Sequence, residues 1–197
     1  MPPCNLGADP QAIRQLFAHG KLGMNIRQAV SEEDWQQVRT LFSEYFEWVR
    51  REPGIDLTFQ GIQDELSSLP GAYSQPRGCL LLAEIEDQLA GCVAIRPLDA
   101  GACELKRMYV RPAFRGRGLG QALCEQIIER ARSKGYLTIR LDTADTMHAA
   151  RDLYTSLGFR LVEPYYDLPP EVLKRAKFME LSLLQKQLSD TEVQQGQ

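Results

Sequence analysis

The apolar residues of this chain follow two kinds of spacing. Short continuous or alternating apolar runs predict strands, and apolar positions three or four residues apart predict amphipathic helices. The runs lie at 24–30, 79–85, 88–95, 102–110, 137–142, 159–162 and 176–184, and the helical spacing lies at 35–49, 59–69, 119–131 and 145–157. Because strands cluster in the middle and helices separate the later strands, we predict a mixed α/β protein with one central sheet.

Two polar residues stand where predicted helices begin. Ser31 precedes the first long apolar-periodic segment, with acidic residues directly behind it, which is the pattern of an N-cap. Asp145 precedes the segment that ends near Leu157, and Gly158 follows as a C-terminal stop. We therefore expect Ser31 and Asp145 to cap their helices with side-chain oxygens.

A glycine-rich loop separates the strand ending at Val110 from the helical segment that begins near Leu119. It holds glycines at alternate positions with arginines beside them, in the order Arg115, Gly116, Arg117, Gly118 and Gly120. Glycine lets a ligand approach the backbone closely, and the first N–H groups of a helix lack partners inside the helix. With the helix dipole and the arginine charges added, this segment predicts a cradle for phosphate or pyrophosphate.

The spacing of the glycines discriminates between phosphate-binding loops. No Gly-Lys-Ser/Thr follows, so the loop is not of the P-loop type. A dinucleotide fingerprint requires a third glycine where this chain has Gln121 or Leu123, although Asp142 stands at the distance of the usual ribose-binding acid. A dinucleotide-binding protein with a parallel sheet remains an alternative, but its glycine spacing fails.

Three segments resemble the GNAT superfamily of N-acetyltransferases. Arg115 to Gly120 matches the superfamily's pyrophosphate pattern Arg/Gln-x-x-Gly-x-Gly/Ala, and Leu153 to Phe159 matches its second helical motif. Residues 103–110 resemble its central strand. The resemblance covers roughly residues 24–184 and implies a mostly antiparallel sheet, flanked by helices, whose fourth and fifth strands splay at the cofactor site. It further implies acetyl transfer from acetyl-CoA directly to a primary amine.

The resemblance implies a cofactor-binding set along the central strand, the loop and the second motif. That set is Met108, Tyr109, Val110, Arg115, Gly116, Arg117, Gly118, Leu119, Gly120 and Arg151. The backbone of the strand would pair with the pantetheine amides like an added strand. One position departs from the family pattern, because Met147 stands where an asparagine is common.

Two residues are implied to be catalytic. Glu104, six residues before Val110, stands where some superfamily members carry a general base; the alternative is a carboxylate paired with Lys106 or Arg107. Tyr154 is implied to be the general acid for the departing thiolate; the alternative is a packed core tyrosine. Further tyrosines, Tyr73, Tyr165 and Tyr166, are candidates for the rim of an acceptor pocket.

Composition limits the remaining possibilities. The chain has 197 residues and a net charge of -3, so it lacks the basic excess of a nucleic-acid-binding protein. Its five cysteines include no C-x-x-C pair, and we therefore expect no metal site. Reduced thiols, the lack of an apolar leader and the lack of a membrane-length apolar run favour a cytoplasmic protein.

The domain organisation predicted from these patterns is simple. Residues 1–22 are expected to form an appendage, 23–184 the acetyltransferase domain and 185–197 a polar tail. The sequence does not identify the small-molecule or peptide amine that accepts the acetyl group, and homodimerisation is only a common default. A non-catalytic acyl-CoA sensor on the same fold is the alternative function.

Overall fold

The computed structural model describes residues 23–51 and 61–184, so the predicted appendage and tail lie outside the described residues. Its strands are β1 Met24–Gln28, β2 Cys79–Ile85, β3 Gln88–Pro97, β4 Ala102–Val110, β5 Thr138–Ala144, β6 Arg160–Val162 and β7 Ala176–Ser182. Its α-helices are α1 Glu32–Arg51, α2 Ile62–Ser68, α3 Leu119–Ser133, α4 His148–Ser156 and α5 Pro170–Leu173. The predicted strands and long helices are confirmed, whereas α5 was not predicted.

One seven-stranded sheet organises the chain, in the order β1-β2-β3-β4-β5-β7-β6. Every neighbouring pair is antiparallel except β4 and β5, which are parallel. The mixed α/β fold with a mostly antiparallel sheet is therefore confirmed. A dinucleotide-binding protein would require a parallel sheet, so this mostly antiparallel sheet contradicts that alternative.

Helices cover both faces of the sheet, which explains the continuous apolar run of β2. Leu81 packs in the core beneath α3 and α4, while its neighbours Leu80 and Leu82 pack in a second core beneath α1. All three leucines are fully buried. A strand buried on both faces loses the polar alternation expected of a half-exposed strand.

Local hydrogen bonds begin α1 as the sequence predicted. The Ser31 hydroxyl accepts a hydrogen bond from the Asp34 amide, and the Asp34 carboxylate accepts from the Val30 and Ser31 amides. This reciprocal capping satisfies helix donors that have no partner inside the helix. Arg27 of β1 also pairs with Asp34, and this pair ties the first strand to the first helix.

The predicted cap of α4 is wrong. The helix begins at His148, its N-cap is Met147, and no side chain of the described residues caps it. Asp145 lies too far upstream, and its carboxylate pairs instead with Arg175 at 3.2 Å. The Asp145 carboxylate, which the local pattern assigned to the start of the helix, is therefore paired with Arg175, a residue distant in sequence.

A close approach of β3 to β4 yields a stability prediction. A Cβ added to Gly91 would lie 2.5 Å from the carbonyl oxygen of Tyr109, and backbone cannot move aside cheaply. We expect Gly91→Ala to lower the free energy of unfolding by about 2 kcal/mol. Gly101→Ala is the matched control, since its Cβ would meet only Leu137 at an ordinary 3.6 Å. Urea denaturation of both variants measures the difference, and equal stabilities would contradict it.

Candidate functional site

A bulge interrupts β4 in the middle of the sheet. Cys92 of β3 pairs with Tyr109 and Ala94 pairs with Lys106, so Val93 faces two residues, Arg107 and Met108. Arg107 adopts a positive φ of 54° there. A β-bulge is defined by two residues on one strand that lie opposite one residue on its partner. The extra residue shifts the alternation, so side chains after the bulge point to the opposite face from the one they would otherwise take.

The reversal is visible in the packing on both faces. Leu105, before the bulge, packs in the core beneath α3, whereas Tyr109, after it, packs in the core beneath α1. Met108 and Val110 consequently turn toward α3. The residues on the α1 face before the bulge are Glu104 and Lys106, which places two charged side chains beside it.

Beyond Glu104, β4 and β5 separate. They pair only from Ala102 to Glu104, while β5 continues to Ala144 along β7. Among the described residues, the part of β4 from Lys106 to Val110 therefore has no strand partner on its β5 side. The predicted splay of the fourth and fifth strands is confirmed, and it leaves backbone donors and acceptors available to an extended ligand.

The glycine loop lies at the open end of this splay. Gly116 and Gly118 have φ of 74° and 77°, in the left-handed region, and Gly118 is the N-cap of α3. No side chain within residues 23–51 or 61–184 caps α3, so its first amides are available to an anion. A Cβ on Gly120 would come within 3.2 Å of the Met108 side chain, which shows how closely the helix start packs on β4.

The arginines of the loop are exposed and rest on aromatic rings. The Cζ atom of Arg115 lies 4.8 Å from the Trp48 ring centroid, and its Nε donates to the Val110 carbonyl at 3.0 Å. Arg117 lies over Phe114 at 5.9 Å. Arg151, by contrast, donates to the Asp145 carbonyl at 2.9 Å and is tied to the segment before α4.

Tyr154 of α4 packs in the core beneath α3, on the face of the sheet opposite α1. It is 5% exposed and its ring contacts Phe159 at 5.6 Å between centroids. Its hydroxyl has no hydrogen-bond partner in the described part of the chain. Burial raises the pKa of this phenol well above 10, so it stays protonated and able to donate.

Glu104 is buried in a network on the opposite, α1 face. It is 1% exposed, and its Oε2 accepts from Arg96 Nε at 2.9 Å. Its Oε1 accepts from the Tyr165 hydroxyl at 3.0 Å and lies 3.6 Å from Lys106 Nζ. The alternative pairing with Lys106 is thus present, but the pairing with Arg107 is not, because Arg107 bonds Glu65 through both carboxylate oxygens.

A second ion pair spans the open part of the splay. Lys106 Nζ of β4 donates to Asp142 Oδ1 of β5 at 2.8 Å, and the Tyr166 hydroxyl also bonds Asp142. Burial acts to raise the pKa of Asp142, but the charge and hydrogen bond of Lys106 lower it. Asp142 is therefore an ionised structural partner on this face.

Two cavities adjoin this network on the α1 face. One, of about 410 Å³, is lined by residues that include Arg96, Glu104, Lys106 and Tyr166. The other, of about 480 Å³, is lined by residues that include Arg96, Glu65 and Tyr73. Of the three candidate rim tyrosines, Tyr165 contacts Glu104, Tyr166 lines the first cavity and Tyr73 lines the second, where it donates to Glu65 at 2.5 Å.

Sequence reasoning missed Arg96, Glu65 and the role of Asp142 in this network. The available signal was the alternation of Glu104 and Lys106 within an otherwise buried strand, which marks one face as polar. That signal does not identify the partners, because they come from other strands and from α2.

Residues 23–51 and 61–184 contain no group of three or more His, Cys, Asp or Glu side chains that could hold a metal ion. No helix in those ranges is long and apolar enough to cross a membrane.

Comparisons with known proteins agree with this geometry. The sequence model of the acetyltransferase (GNAT) family matches residues 35–159. An uncharacterized N-acetyltransferase of Schizosaccharomyces pombe is 43% identical over 139 residues, covering 70% of this chain and 83% of that protein. An uncharacterized N-acetyltransferase of Dictyostelium discoideum is 29% identical, covering 70% and 90%.

Solved structures share the fold. An acetyltransferase of Streptococcus agalactiae superposes with a TM-score of 0.64 at 20% identity, covering 81% of this chain and 98% of that one. A protein of Salmonella typhimurium, solved with its cofactor acetyl-CoA, has a TM-score of 0.59 at 23% identity, covering 86% and 99%. On the family match, the splayed sheet and the glycine loop, this chain belongs to the GNAT family of acetyltransferases.

Proposed function

We propose that this protein transfers an acetyl group from acetyl-CoA directly to a primary amine. The observation that carries the proposal is the splay after Glu104, with the glycine loop at its open end and, among the described residues, no side-chain cap on the helix that follows. The test is release of CoA thiol when the purified protein is mixed with acetyl-CoA and a panel of amines. Lack of release with every amine, while acetyl-CoA still binds, would favour a non-catalytic acyl-CoA sensor.

The donor fits the open side of the splay. Amides at the start of α3, from Gly118 onward, would hold the pyrophosphate, and the exposed charges of Arg115 and Arg117 would strengthen the attraction. Backbone groups of β4 from Met108 to Val110 that face the open side, apart from the Val110 carbonyl that Arg115 already holds, would pair with the pantetheine amides. Leu119 is buried and supports the loop through packing.

The chemistry requires one proton to leave the acceptor and one to reach the leaving sulfur. Acetyl-CoA supplies a thioester carbonyl, and the new N–C bond forms as the C–S bond breaks. Glu104 takes the amine proton through the Tyr165 hydroxyl or a water, since both its oxygens already have partners. Tyr154 donates its phenolic proton, or a strong hydrogen bond, to the sulfur.

The free cysteine thiols are compatible with a reducing compartment. Cys79, Cys92, Cys103 and Cys124 are free and buried. Burial raises the pKa of Cys103 and of Cys124 to about 12, so these thiols stay protonated and unreactive. We therefore propose that the protein works in the cytoplasm, where such thiols remain reduced.

Gly118→Val tests the loop. Gly118 has a φ of 77°, and a branched side chain there would strain the turn and obstruct the approach of phosphate. We expect acetyl-CoA affinity to fall at least tenfold, or about 1.4 kcal/mol, by calorimetric titration. Gly135→Val is the control, because Gly135 has a similar φ of 79° at the far end of α3. Equal affinities in the two variants would remove the loop from the binding site.

Glu104→Gln tests the proton acceptor. The amide keeps the size of the side chain but accepts no proton, so we expect turnover to fall about 10²-fold. Acetyl-CoA affinity should barely change, and the acidic limb of the pH–rate profile should disappear. Glu180→Gln, which breaks a 2.7 Å pair with Arg140 outside the cavities, is the control. An acidic limb that persists in Glu104→Gln would assign the proton transfer elsewhere.

Tyr154→Phe tests the proton donor. The variant keeps the ring packed on Phe159 and removes only the hydroxyl. We expect kcat to fall about 10–10³-fold with KM for acetyl-CoA nearly constant, as for an interaction made chiefly in the transition state. Tyr136→Phe is the matched control, since Tyr136 is also buried and donates to the Arg77 carbonyl. Full activity in Tyr154→Phe would make this residue part of the core alone.

A further inference from the structure

Arg96, near the end of β3, is anchored by only one edge of its guanidinium group. Its Nε and Nη2 atoms both contact Oε2 of Glu104, at 2.9 and 2.8 Å. The side chain is 41% exposed, and Nη1 has no partner in the described part of the chain. An arginine carries five N–H donors, so this geometry orients the group and leaves its outer edge available.

The outer edge of Arg96 borders the space where an acceptor would lie. Arg96 lines both cavities of the α1 face, and the first of them extends to Lys106 and Arg107 at the bulge. Val93 faces the bulge, and Arg96 lies three residues further along β3, which is about 10 Å along the strand. A group bound at Arg96 can therefore belong to a small molecule whose amine reaches the bulge.

Three buried or half-buried carboxylates beside the cavities are already bonded. Glu104 is held by Arg96 and Tyr165, Glu65 by Arg107 and Tyr73, and Asp142 by Lys106 and Tyr166. These groups have little capacity left for the ammonium groups of a polyamine.

Asp167 of the first cavity and Asp64 of the second are exceptions, but both are exposed. Water and salt screen the charges of such carboxylates. Inside this space, the charged group that can still bind a ligand is therefore a cation, the guanidinium of Arg96.

We infer that the acceptor amine carries a carboxylate, which the outer edge of Arg96 binds. This inference rests on the proposed acetyl transfer and specifies its substrate class as an amino acid or short peptide. Charge-assisted hydrogen bonds from a guanidinium to a carboxylate are stronger than neutral ones and can form in pairs. A carboxamide of the same shape would lose that charge.

The test compares acceptors that differ only in this charge. Glycine, β-alanine, 4-aminobutyrate and glycylglycine are each assayed against their carboxamides, with acetyl-CoA saturating and CoA release as the readout. The series also varies the spacing between amine and carboxylate. We expect the best carboxylate to exceed its amide at least tenfold in kcat/KM. Equal rates, or a preference for the amides, would overturn the inference and leave acetyl transfer intact.

Arg96→Lys tests whether Arg96 binds the carboxylate of the acceptor. Lysine keeps the positive charge beside buried Glu104, which protects folding, but it loses the planar fork. We expect KM for the carboxylate to rise at least tenfold and the preference over the amide to shrink. If Arg96 only positioned Glu104, both acceptors would slow alike and the preference would persist. Arg39→Lys is the control, because Arg39 is similarly exposed at 32% and pairs with Glu32 on α1.

Binding is measured separately from turnover. Each acceptor pair is titrated by calorimetry into the complex of the protein with CoA, in which no acetyl group can be transferred. We expect tighter binding of the carboxylate, and a loss of that difference in Arg96→Lys. Lack of turnover with every acceptor would contradict the proposed acetyl transfer. The titration would still decide the inference, and equal binding of carboxylate and amide would overturn it.

Discussion

The site depends on a strand that keeps part of its hydrogen-bonding capacity unused. β4 runs through the centre of the sheet, yet beyond Glu104 no strand in the described part of the chain pairs with it on the β5 side. Buried backbone groups left without partners cost about 1–3 kcal/mol each. Such an opening persists because β3 on one side and β7 on the other hold β4 and β5 in place. The fold thus provides an edge inside a sheet, where an extended ligand can supply the missing hydrogen bonds.

A network of alternating charges stabilises the α1 face of this opening. Lys106 and Asp142 bridge the two diverging strands at 2.8 Å, and Glu104 lies beside them. Removing one partner of a buried ion pair is costly, by about 3–5 kcal/mol, because the other charge is left in a poorly solvated position. The network therefore fixes side chains around the bulge, and Arg96 retains an edge for a ligand because it lies at the exposed margin.

Helix α1 connects the two halves of the site. Glu44 holds Arg111 through two hydrogen bonds, of 2.7 and 2.8 Å, at the point where β4 ends. Four residues later along α1, Trp48 lies beneath Arg115 of the glycine loop. One face of a single helix consequently positions the end of the strand and the start of the loop. This arrangement keeps the glycine loop in register with the opening in the sheet.

The sequence by itself determined the elements, the glycine loop and the start of α1, because these features depend on residues close together in the chain. Ser31 caps α1 as predicted, and the glycine loop leads into a helix that begins at Leu119 as predicted. Tertiary structure alone decided the bulge at Arg107, the partners of Glu104 and the loss of Asp145 as a cap. The bulge follows from the register between two strands, and the ion pairs join residues distant in sequence. Local patterns carry no information about such pairings, since burial and charge compensation are satisfied only when the whole chain is folded.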